Sequence, residues 1–186
     1  GLLLAIELFL PLIMLLGFER VVLRFYSEKL KFPNFKGTIF NLISISALFA
    51  LSILGGLYLS GIKDFFLISI FPDFFLIIIL IYFQNFYLIN LNILRVDEKH
   101  SNYFRVKLIY QIIKLFSIFG FVIITKDYFG YILASIFSIS ITVFIYFSDS
   151  IYLNLKRFNK ETFKKFIYFS WPFIMSGVAS GIITNI

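Results

Sequence analysis

Lys107, Gln111, Lys114 and Ser117 recur at spacings of four, three and three, which puts two cations, an amide and a hydroxyl on one face of a helix. Lys114 is the unusual member, because it stands inside the apolar run "LIYQIIKLFSIFGFVII" (108–124). A lysine at the centre of a membrane helix costs about 2.5–3.5 kcal/mol on insertion scales, so its charge needs a reason. Two are open. The side chain leans toward its helix N-terminus and could snorkel to the near interface, or the stripe it shares with Lys107 and Gln111 could face a wet bundle interior. The continuity of the stripe favours the second.

Other polar groups follow the same spacing. Arg20 and Arg24 lie four apart where the first apolar run ends; they could attract anionic head groups, or simply anchor the helix on the positive side. Glu7, deep in that run, reads three ways: a protonated core residue, a partner for a cation, or part of an ion-coupling site. Gln84, Asn85, Asn92 and Arg95 form a stripe in the third run, and Ser135, Ser138, Thr142, Tyr146 and Asp149 one in the fifth. Helix-to-helix hydrogen bonding and close packing account for both stripes, and for the Gly177–Gly181 pair. His100, the single histidine, belongs to the charged stretch "RVDEKHSNYFR" and reads as a solvated loop residue.

The elements carrying these groups are membrane helices. The chain is 60% hydrophobic and 15% charged, with a mean hydropathy of +0.95, too apolar for a soluble globule. Six apolar runs approach or begin the roughly 20 residues that span a bilayer: 2–18, 39–60, 74–94, 108–124, 131–147, and from 171 onward. They are apolar on both parities and too long for barrel strands, so an all-α polytopic membrane protein is expected. The five connections hold five, one, four, one and five Lys or Arg, and Lys114 is the single basic residue outside them. This alternation places the first, third and fifth connections in the cytoplasm. It also explains the net charge of +7, so nucleic-acid binding is not inferred. No cysteine is present, which leaves no disulfide or thiolate chemistry, and no cofactor or metal site is expected.

The last connection, "NLKRFNKETFKKFI" (154–167), sets Leu155, Phe158, Phe163 and Phe166 among five cations and reads as an interfacial helix on an anionic leaflet. It separates a bundle over residues 1–153 from a further helix over 169–186, with residues 154–168 as a cytoplasmic amphipathic linker. Pro172, after Trp171, is expected in a first helical turn. The chain opens and closes within apolar runs and reads as a fragment of a longer protein.

Three stretches together resemble the Wzx-type polysaccharide flippases (O-antigen or capsule) of the multidrug/oligosaccharidyl-lipid/polysaccharide exporter superfamily. "GFERVVLRFYSE" (17–28) is similar to the end of their second helix. "NLNILRVDEKHSNYFRVKLIYQIIK" (90–114) resembles the next cytoplasmic turn, and "FKKFIYFSWPFIMSGVASGIITNI" (163–186) the start of the seventh helix. The resemblance implies a MATE-like exporter fold, with most of the N-terminal bundle and the start of the second facing a central cavity. It implies transfer of an undecaprenyl-diphosphate-linked oligosaccharide across the bacterial cytoplasmic membrane, with Lys114, Gln111, Arg24 and Arg20 toward the anionic head group. Glu7 would be the coupling residue if H+ or Na+ drives the cycle. The alternatives are a cation-coupled multidrug exporter, a lipid II flippase and, less favoured, a glycan polymerase or ligase. Non-enzymatic transport is preferred because the outer connections carry one Lys each, three Asp between them and no His.

Overall fold

The structure, a computed structural model, describes residues 18–26, 28, 34–65, 68–154 and 158–184. Six helices account for almost all of these residues. They are α1 (Phe18–Phe25), α2 (Phe35–Leu59), α3 (Phe75–Val96), α4 (His100–Thr125), α5 (Tyr128–Asn154) and α6 (Lys160–Thr184). Four helical spans, 35–59, 71–96, 100–125 and 128–148, are long and apolar enough to cross a membrane, as expected of a multi-pass membrane protein. Between α2 and α3, β1 (Asp64–Phe65) and β2 (Ile68–Ser69) pair antiparallel, Asp64 opposite Ser69 and Phe65 opposite Ile68. A tight π-type turn, Ile70–Phe74, leads into α3. The all-α expectation thus holds apart from this small outer ribbon.

The helices outrun the apolar stretches that announced them. Helix α4 starts at His100, not near residue 108, because its first two turns need no lipid once they protrude from the bilayer. The supposed loop around His100 is therefore a turn over Asp97–Lys99, closed by the Asp97 and Glu98 N–H groups donating to the Ile93 and Arg95 carbonyls at 2.9 and 3.2 Å. The linker residues from Lys160 and the run beyond Trp171 form one helix, α6, so Pro172 lies well inside it rather than in a first turn. Asn159 caps α6, its Oδ1 accepting the Thr162 N–H at 2.9 Å.

Helix α3 is the centre of the bundle, with 61% of its span buried against 6% for α4. It packs against α1, α2, α4 and α5, while α4 rests mainly on α5. In lipid no hydrophobic gain separates buried from lipid-facing leucine, so this order comes from close packing. The tightest example is Phe40 on α2 stacked against Phe86 on α3, centroids 4.4 Å apart. On α5, Ser135, Ser138 and Thr142 are all buried where small side chains admit neighbours. Ser138 and Thr142 donate back to the Ala134 and Ser138 carbonyls at 2.7 and 2.8 Å, in keeping with the packing role expected of that stripe.

Phe166 overturns part of the interfacial reading of the linker. It is fully buried between Phe25 and Phe35, with ring centroids 6.0 and 5.1 Å away, so it docks α6 onto the bundle instead of entering lipid. Phe158 stays exposed, and Leu155 lies outside the described residues.

Candidate functional site

Helices α4 and α5 form an antiparallel hairpin turned by Lys126 and Asp127. Lys126 takes the left-handed conformation (φ 53°) that ends α4, its N–H donating to the Val122 carbonyl at 2.8 Å. Asp127 Oδ1 accepts the Tyr128 N–H at 2.6 Å and starts α5. Gly130 makes the close return possible: a Cβ there would strike Thr125 Oγ1 and sit 2.8 Å from the Phe121 carbonyl oxygen.

That hairpin positions Lys114. The half-buried side chain donates from Nζ to Tyr131 Oη on α5 at 3.5 Å, and Nζ lies 5.4 Å from the Tyr131 ring centre and 6.0 Å from that of Tyr110. Both distances suit cation–π attraction. Tyr131 begins α5, at the end of the hairpin away from Lys107, so the ammonium finds a partner at helix depth rather than only by reaching back to the cytoplasmic interface. Tyr110 in turn meets Tyr87 on α3 with centroids 4.9 Å apart. A short series of aromatic rings thereby links the lysine to the central helix.

The remaining members of the stripe grade outward. Ser117 is buried, Lys114 half-buried, and Gln111 and Lys107 are exposed, with Lys107 Nζ 5.9 Å from the Tyr103 ring. Arg24 is exposed in the last turn of α1, a helix that packs mainly on α3 and α6. The structure does not gather Arg24 and Lys114 at one helix interface. The Arg20 backbone belongs to α1; its side chain and all of Glu7 lie outside what is described. Of the third-run stripe, Asn85 and Asn92 are buried, Gln84 is half-buried and Arg95 is exposed.

Sequence reasoning passed over Asp73 as an outer-loop acid. It is buried, 6% exposed, at the foot of α3, where its Oδ2 accepts the Tyr128 hydroxyl at 2.7 Å. The available signal was positional: an acid directly before an apolar run of membrane length enters the bilayer with it. Tyr128 and Tyr131 were given no role, although they stand three apart, on one face of a helix start. A hollow of about 360 Å³ between α2 and α3, bordered by Ser44, Leu48, Tyr82 and Phe83, has no charged residue in its lining. Among the described residues no three His, Cys, Asp or Glu side chains assemble as a metal would require.

No family model, curated protein or solved structure matches this chain.

Proposed function

We propose that the chain belongs to a transporter that moves an anionic, lipid-linked oligosaccharide across a bacterial cytoplasmic membrane, with a MATE-like arrangement of helices. One observation carries this reading. Lys114 sits within an apolar membrane helix, half-buried and bracketed by Tyr110 and Tyr131. A diphosphate is too costly to bring into hydrocarbon alone, and a cation at helix depth with the Tyr131 hydroxyl beside it lowers that cost by replacing part of its hydration. Rings flanking the ammonium also offer apolar faces on which sugars stack. Gln111, Arg24 and Arg20 are assigned to the path by which the head group approaches. No catalytic step is required of these residues. The test is surface polysaccharide in cells carrying Lys114→Ala or Lys114→Glu at unchanged protein level: both should lose it, and normal polysaccharide in both would end the proposal.

The buried Asp73 favours one second reading, a cation-coupled exporter in which this carboxylate holds and releases the driving ion. In that case Asp73→Asn abolishes proton- or sodium-dependent efflux. Efflux unaltered in Asp73→Asn would dispose of this alternative.

A further inference from the structure

The outward face of α6 carries Lys160, Lys164, Tyr168 and Trp171, all exposed, at spacings of four, four and three. Beside it a hollow of about 670 Å³ is lined by Phe25, Lys164, Lys165, Tyr168, Phe169 and Pro172. A second, of about 510 Å³, shares Lys164, Tyr168 and Pro172 with the first and adds Trp171. The lining is ordered along the helix. Both lysines are at the N-terminal end of the groove, which the alternation of basic connections assigns to the cytoplasm, and the aromatic and proline groups follow for about 12 Å, at 1.5 Å per residue, along α6. One end therefore suits a phosphate and the rest suits an acyl chain. Among the described residues, neither Glu161 nor Glu28 lines either hollow.

We propose that this groove is a binding site for one anionic phospholipid of the cytoplasmic leaflet, its phosphate on Lys164 and Lys165 and its acyl chain along Tyr168, Phe169 and Pro172. Each lysine near an anionic surface strengthens binding about fivefold, so two give a real selection against zwitterionic lipid. The proposal rests on charge order and helix orientation, not on the transport reading, and either can fail without the other.

Trp171, the single tryptophan, borders the groove and reports on it directly. The chain is reconstituted in phosphatidylcholine bilayers containing a small fraction of phosphatidylglycerol or of phosphatidylcholine brominated on the acyl chain, and tryptophan quenching is read. Brominated phosphatidylglycerol should quench at several-fold lower mole fraction than brominated phosphatidylcholine. That preference should disappear in Lys164→Gln/Lys165→Gln and persist in Lys164→Arg/Lys165→Arg. Raised salt should weaken it in the unmodified chain, a check that needs no variant to fold. Equal quenching by the two lipids, or a preference that survives the double Gln substitution, overturns the proposal. Quenching by neither lipid would mean that another protein segment covers the groove, and overturns it too.

Discussion

At the scale of single residues, the decisive contact is the one between Lys114 and Tyr131. A short hydrogen bond from a charged donor contributes on the order of 1.5–3 kcal/mol, and this contact, at 3.5 Å, contributes less. Tyr131→Phe retains the ring and its cation–π attraction but removes the acceptor. Under the proposed function, transport should fall several-fold without vanishing, whereas Lys114→Ala removes the charge itself; surface polysaccharide measured in the two variants separates these effects. The sequence exposed Lys114 at once, because a cation among apolar residues stands out at any helical position. Its partners did not stand out: tyrosines are common at membrane interfaces, and nothing local distinguishes a ring that meets a lysine from one that meets lipid. Asp73 was obscured for a related reason. A loop carboxylate and the first carboxylate of a buried helix look alike until the helix start is known.

Among the elements, the α4–α5 hairpin holds the site, and its geometry depends on Gly130. Gly130→Ala places a methyl group against backbone at Phe121 that cannot rotate away. Overpacking of this kind costs about 1–3 kcal/mol. A lowered unfolding temperature in detergent is expected, together with weaker transport as Tyr131 moves relative to Lys114. Helix existence was legible from the apolar runs, and helix ends less so, because the polar turn at the start of α4 and the joined α6 obey hydrogen bonding rather than hydropathy. The order of burial was not legible at all. Over their most apolar 18-residue stretches α3 and α4 have the same mean hydropathy, yet one is the core and the other lies at the rim. In lipid both surroundings are apolar, so the side chains carry no sign of which they meet.

For the whole molecule, the sorting of cations predicts which way the helices run. The chain lacks cysteine, so single cysteines give a clean test at the exposed positions Lys63 and Lys99. A membrane-impermeant maleimide should label Lys63→Cys in intact cells and Lys99→Cys only after permeabilisation; labelling of both from one side would reverse or abolish the assigned topology. Two hydrogen bonds join the connections at the end predicted to be cytoplasmic. Tyr26 donates to Asp97 at 3.2 Å and the Asn159 N–H to Thr38 Oγ1 at 3.2 Å, tying the early, middle and late connections to one another.

Helix α2 is gripped unevenly along its length. Its buried residues run from Phe35 to Ala47; beyond that only partly buried side chains such as Ala50, Leu51 and Leu54 pack inward, and Gly55 and Gly56 have open space beside them. The final dozen residues are a cantilever, about 18 Å long at 1.5 Å per residue and clamped at the Phe35 end of the helix. Bending a beam held that way disturbs lipid more than it disturbs protein, so the Leu59 end of α2 is easier to displace than its Phe35 end.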